Sequence, residues 1–348
     1  MNSCGASRSQ SGQFRLGPSH FPPRGQCRGI GAAYFVIRLA RGTKTGDSPA
    51  EEAQESIVMP TITTNDGAQL YYEDSGVGPP LILIPGLGGT HHFFQKNTAA
   101  LAQSCRVIAP DMRGHGDSEK VAWGHRIARY ARDVKDLIEA LRLEHVTALG
   151  WSMGASILWS YLDLFGSEHL AGHISVDQSP RLFHDETWRW GLTVCPDAAA
   201  LALLTARLLR DAGGEARRMV LGCFGQTYQP TPDEVEALAR EIDRCPPTVL
   251  AEVFTDHAHQ DWRDLLPRIR LPVLVCVGRQ SRMFPWQGSA SVGEQAAGAR
   301  TVFFESSGHA PFYEEPEKFN QVVRDFVLGL QRLVGVTPGQ FPAPARNP

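Results

Sequence analysis

The chain has 348 residues, 42% hydrophobic and 20% charged, which are the proportions of a soluble globular protein with material for one large α/β domain or two modest ones. A formal net charge of -3 and a pI near 6.5 set up no field for nucleic acid or an anionic membrane, and no basic run is interleaved with aromatics. The balance fits a small, largely uncharged substrate. The seven cysteines, Cys4, Cys27, Cys105, Cys195, Cys223, Cys245 and Cys276, are scattered and never form a CxxC pair. That pattern suits a reducing, cytoplasmic setting with no disulfide or metal role, and Cys105 and Cys276 read as small buried hydrophobes.

Residues 1 to 58 are rich in Gly, Ser, Arg and Pro, carry no Asp or Glu before Asp47 and show no sustained apolar period. Such a segment buries too little surface to offset its ordering entropy, so a disordered or artefactual extension is the favoured reading. A transit peptide, a short apolar signal core in "GIGAAYFVI" and a natural start at Met59 are the alternatives. From Met59 the chain reads at once as a β-hairpin, with Asn65-Asp66-Gly67 at its turn. Strand-length apolar runs follow at 81 to 84, 106 to 109, 145 to 149, 173 to 177, 272 to 277 and 301 to 304. Apolar on both faces, they predict a largely parallel buried sheet. Ile127, Tyr130, Ala131, Val134, Leu137, Ile138 and Leu141 keep a helical period, as do Phe319, Val322, Val323, Phe326 and Leu330. Between 181 and 268 the alternation breaks into a Pro- and Gly-punctuated helical insertion, expected over the carboxyl ends of the strands. The Pro- and Gly-rich tail from 335 to 348 is expected to remain unpacked.

The sharpest local signal is "HVTALGWSMGAS". A strand enters Gly150-Trp151-Ser152-Met153-Gly154 and a helix leaves it, the context in which GxSxG holds a serine in strained geometry with its hydroxyl exposed. A serine needs a general base, and His309, in the loop between the last strand and the last helix, is the candidate. Oxyanion donors are expected from the amides of Leu87, in the Gly-rich loop "PGLGG" where Gly86 also borders the substrate, and of Met153. His91 and His92 are adjacent and lack a third ligand at useful spacing, so they read as pocket-wall or surface residues rather than metal ligands.

With "PGLGG", "DMRGHGDS", "GWSMG" and "SSGHAPFYEEPEKF" in this order, residues 59 to 334 resemble the α/β-hydrolase superfamily. The resemblance implies a mostly parallel eight-stranded sheet with helices on both faces, a helical cap after the sixth strand, and a cofactor-free Ser-His-acid triad. In most relatives the acid follows the strand before the last, in a pattern like G-x-x-D-x-x-x-P. This chain keeps Gly278 and Pro285 but has Ser281 in place of the acid, flanked by Arg279, Gln280 and Arg282. A group that stabilises an imidazolium must carry negative charge, and none of these does. Asp177, at the end of the sixth strand, takes the place that zearalenone lactonase-like members give the acid. Its competing reading is a turn or N-cap residue in "DQSP". Asp111 belongs to the "DMRGHGDS" turn and is the weaker candidate.

Pocket candidates are strongly aromatic: Trp151, Phe183, Trp188, Phe284 and Phe312 foremost, with Phe93, Phe94, Trp190 and Trp286 behind them. They point to hydrolysis of an apolar or aromatic carboxylic ester or lactone through an acyl-Ser152 intermediate. The reading admits a homodimer and no nucleic-acid or membrane partner. The same residues leave open a cofactor-free haloperoxidase-like or C-C bond hydrolase and, from another class, a ligand sensor that binds without turnover.

Overall fold

The structure, a computed structural model, describes residues 32–36 and 58–334. The tail from 335 and the remainder of the N-terminal extension lie outside the described residues. In chain order the elements are β1 (Ala32–Val36), β2 (Val58–Thr63), β3 (Gln69–Ser75), β4 (Pro80–Ile84), α1 (Thr98–Leu101), β5 (Arg106–Pro110), α2 (Ile127–Ala140), β6 (Val146–Trp151), α3 (Met153–Phe165) and β7 (Leu170–Val176). There follow α4 (Ala198–Arg210), α5 (Ala212–Cys223), α6 (Pro232–Asp243), α7 (Pro247–Ala258), β8 (Val273–Gly278), α8 (Trp286–Gln295), β9 (Arg300–Phe304), α9 (Pro311–Glu314) and α10 (Pro316–Val334). The strands form one sheet in the order β1-β2-β3-β5-β4-β6-β7-β8-β9. Pairs from β5 to β9 are parallel, while β1, β2 and β3 run antiparallel to their neighbours.

This is an α/β-hydrolase fold with one strand more than the eight expected. The addition is β1, which pairs with β2 from Ala32 opposite Ile62 to Val36 opposite Val58. Its sequence, AAYFV, combines aromatic and β-branched residues that favour extension along an open sheet edge. The segment expected to lack regular structure therefore supplies an edge strand.

Successive residues of the central strands face opposite sides of the sheet, and both sides are packed. Ile82, Ile84, Val146, Ala148 and Val275 join the α2 and α3 side chains Tyr130, Val134, Ile157 and Trp159 on one face. Leu81, Leu83, Leu149, Ile174 and Leu274 meet Phe319, Val323 and Val327 of α10 on the other. The helical periods read along α2 and α10 are the faces that pack here, with Val322 and Phe326 only partly buried. Between β7 and β8 the chain leaves the sheet for α4 to α7, where Asp197 caps α4 and a Thr231–Glu234 capping box starts α6. No helix among the described residues is long and apolar enough to cross a membrane.

The hairpin turn is anchored through the "DMRGHGDS" segment. Arg113 is fully buried and donates to both oxygens of Asp133 on α2 at 2.6 Å and to both oxygens of Asp66 in the turn at 3.0 Å. Burial pushes the Asp133 carboxyl above its usual range against the pull of Arg113 and Arg129. Removing one member of such a buried pair strands the other charge. Arg113→Met should therefore lower the unfolding free energy by about 3 kcal/mol, the low end for a broken buried pair because Arg129 still reaches Asp133. Urea unfolding of parent and variant reads this directly, and a change within about 0.5 kcal/mol, the range of ordinary surface substitutions, would remove the network's structural weight.

Candidate active site

Three adjacent parallel strands bring the expected residues together. Trp151 pairs with Val176 and Val176 with Cys276, so Ser152 and Asp177 leave the sheet side by side at its carboxyl edge. Ser152 has φ 53° and ψ -124°, a left-handed geometry that costs a non-glycine residue on the order of 1–3 kcal/mol. Its surroundings hold it there. A Cβ on Gly150 would overlap the Gly154 carbonyl, and one on Gly154 would overlap the Ile84 carbonyl, so only glycines let β6, α3 and the neighbouring strand approach this closely. Ser152 donates its amide to Val176 at 2.9 Å, and its hydroxyl makes no cap bond to α3, which leaves Oγ available.

His309 follows β9 in the loop before α9, and its Nδ1 lies 2.8 Å from Asp177 Oδ2. Asp177 is fully buried, with φ 43°. The same Oδ2 accepts the Ser281 hydroxyl at 2.6 Å, and Oδ1 accepts the Gly278 amide at 3.2 Å. The loop that lacks the common acid thus turns its serine toward the carboxylate on the neighbouring strand. Asp111 is engaged elsewhere: His91 Nδ1 lies 2.9 Å from its Oδ1, and Oδ2 accepts the Asp117 amide at 2.8 Å. His91 is accordingly a buried partner of Asp111 rather than a wall of the pocket, while His92 is exposed.

On the other side of Ser152 stands the Gly-rich loop. A Cβ on Gly86 would come within 3.0 Å of the Ser152 Cβ. Gly88 donates its amide to His115 Nε2 at 3.2 Å, and the His115 ring lies 3.0 Å through Nδ1 from the Arg113 carbonyl. Burial pushes His115 down to about 4, so the neutral ring accepts at Nε2 and donates from Nδ1. This "DMRGHGDS" histidine, which the motif reading left without a role, fixes the loop that carries Leu87. Met153 is the first residue of α3, where an amide has no intrahelical acceptor.

Ser152 and His309 line one cavity with Leu87, Trp151 and Phe284. The remaining wall is chiefly aliphatic and comes largely from the insertion: Leu182, Leu192, Leu204, Leu208, Met219 and Phe254, with Met283 from the loop after β8. Phe183, Trp188 and Phe312, expected in the pocket, lie elsewhere. Phe312 is fully buried in the core against Phe94 and Phe319, and its ring meets Trp151 edge-on at 4.9 Å from behind. Trp188 packs on Trp190 beneath the Arg263 guanidinium, and Phe183 stacks edge-on with His259. Two polar lining residues escaped the sequence reading, Glu215 on α5 and His257 on α7. The His257 ring lies 2.9 Å through Nε2 from Ser156 Oγ, and burial pushes it down to about 3, which keeps it neutral.

The histidine loop is tied to the insertion. His309 donates its amide to the Cys223 carbonyl at 2.7 Å, and Trp151 Nε1 donates to the His309 carbonyl at 2.8 Å. Glu314 accepts the amides of Gly308 and Gly225, one on each oxygen, both at 2.8 Å. A Cβ on Gly308 would overlap the Gly225 amide, so the two segments meet without side chains between them.

The model of the α/β-hydrolase fold family matches residues 79–316, and the chain belongs to that family. A pimeloyl-[acyl-carrier protein] methyl ester esterase of Vibrio cholerae is 28% identical over 265 residues, covering 74% of this chain and 97% of its own. An esterase of Exiguobacterium antarcticum superposes with a TM-score of 0.73 at 25% identity, covering 77% of this chain and 98% of its own. A thermophilic esterase of Thermogutta terrifontis gives 0.69 at 26% identity, with 78% and 98% covered.

Burial, and behind it the charge of Asp177, lifts Glu314 from 4.5 to about 7, although its amide donors pull the other way. A raised carboxyl stabilises the folded chain while it keeps its proton, so this contribution is present below pH 4.5 and is lost as pH rises through 7. Glu314→Gln removes the titration, and its melting temperature should vary less across that window than the parent's. Parallel slopes for both proteins would place the titration elsewhere.

Proposed function

We propose that the chain hydrolyses carboxylic esters or lactones through an acyl-Ser152 intermediate. The observation that carries this reading is the meeting of a strained, uncapped Ser152 and an Asp177-bonded His309 on the wall of one cavity. The names of the relatives, two esterases and a methyl ester esterase, support the same bond class.

Ser152 Oγ attacks the carbonyl carbon while His309 Nε2 takes its proton, and the electron pair of the carbonyl moves onto oxygen. The amides of Leu87 and Met153 receive that oxyanion, each donor of this kind being worth about 100- to 1000-fold in turnover. Asp177 fixes the tautomer of His309 and stabilises the imidazolium. His309 returns the proton to the departing alkoxide as the C–O bond breaks. Water then attacks the acyl-serine, gives its proton to His309, and the acid leaves with Ser152 restored. The cavity wall at Leu204, Leu208 and Met219 is aliphatic, which favours the apolar over the aromatic of the two acyl classes the sequence left open.

p-Nitrophenyl acetate should release a stoichiometric burst of nitrophenolate that Ser152→Ala abolishes. Asp177→Asn should lower kcat on the order of 1,000- to 10,000-fold, as neutralising a triad acid does. Ser281→Asp placed in the Asp177→Asn protein should recover part of that loss, because the two side chains already meet at 2.6 Å. An Asp177→Asn enzyme within a few-fold of the parent would sink the assignment of the acid.

A further inference from the structure

The aliphatic wall of the cavity contains one carboxylate. Glu215 is 4% exposed and stands among Leu204, Leu208 and Met219. Arg207 Nε approaches its Oε1 at 2.8 Å and Arg218 Nε approaches the same oxygen at 3.0 Å. Among the described residues no hydrogen bond is made to Oε2. Stability does not account for the arrangement. Both arginines are half-exposed, with side chains 55% and 52% open, and ion pairs at such positions contribute little to stability. Oε2 is not among the fully enclosed unpaired atoms of the described residues, so it is an open acceptor on the cavity wall rather than one sealed in the core.

The charges around it say what kind of group Oε2 awaits. Arg218 also pairs with Asp211 at 3.1 Å, so two guanidinium groups face two carboxylates and the cluster is neutral. Within these four groups an anionic tail would meet no free cation, and a cationic one no free anion. A neutral donor adds a hydrogen bond and leaves the balance unchanged.

Resting on the acyl-serine reading, we infer that Glu215 forms a distal subsite that selects esters whose acyl chain ends in a hydroxyl, donated to Glu215 Oε2. The other polar lining group, His257, is held by Ser156 and remains neutral, so it adds no competing charge. The substrate class narrows from apolar esters to hydroxyacyl esters or the lactones they close to, with an aliphatic stretch between the reacting carbonyl and the hydroxyl.

The test compares p-nitrophenyl ω-hydroxyalkanoates with p-nitrophenyl alkanoates of equal length, six to ten carbons, in parent, Glu215→Leu and Glu215→Gln proteins. The readout is the ratio of kcat/KM for hydroxylated over plain ester, which cancels changes common to both. In the parent this ratio should reach about 10 or more at one chain length, the effect of a hydrogen bond to a charged acceptor. Glu215→Leu should bring it to about 1 or below, and Glu215→Gln, which keeps a neutral acceptor, to an intermediate value of about 3. A parent ratio near 1 at every length, or a ratio that survives both substitutions, overturns the subsite. Should Glu215→Leu fail to fold by circular dichroism, the Gln variant decides alone. Calorimetric binding of the same ester pair to Ser152→Ala protein keeps the two proposals apart. Tighter binding of the hydroxylated ester without Ser152-dependent turnover in the parent would refute the acyl-serine mechanism and uphold the subsite, and equal binding would refute the subsite.

Discussion

The register of three parallel strands is the constraint on which the site depends. Because Trp151 stands opposite Val176, and Val176 opposite Cys276, the residues just beyond those positions emerge together at one edge of the sheet. A slip of one residue in either pair would send Ser152 or Asp177 to the opposite face. The register is in turn fixed by burial on both sides: Leu149 and Ile174 face α10, while Val146 and Ala148 face the helices across the sheet. The backbone strain at Ser152 and the positive φ at Asp177 are tolerable only because this packing over-determines them.

A second layer of order comes from loops rather than strands. Glu314 joins two amides from segments far apart in sequence, and the contact among Gly225, Gly278 and Gly308 leaves no space for a side chain. The insertion is therefore bonded to the histidine loop through its backbone. The cavity wall that α4 and α5 supply is held at that junction by the same bonds that hold His309.

Much of the sheet and of the Ser152, His309 and Asp177 cluster was legible because each signal was local. Apolar runs of strand length, a GxSxG between strand and helix, and a histidine after the last strand are all read within a dozen residues. The missing acid at Ser281 was legible by comparison with its own flanks, Gly278 and Pro285. The pocket wall was not, since the destination of an aromatic side chain is settled by tertiary packing. Phe312 and Trp188 carry the same local pattern as Phe284, yet only Phe284 reaches the cavity. Glu215 was invisible for the converse reason: in "GGEARRMV" it reads as one charge on a solvated helix face, and only the fold turns it inward. The strand at Ala32–Val36 was passed over because its neighbours in sequence have no apolar pattern to frame it.

The hydrogen bond between Ser281 and Asp177 also links the two positions that could carry an acid in the proposed mechanism. Side chains on two neighbouring strand ends reach the same point beside His309 Nδ1, one directly and the other through a single bond. On the proposed mechanism, a carboxylate at either position would stand beside His309, with the loop that keeps Gly278 and Pro285 left as it is.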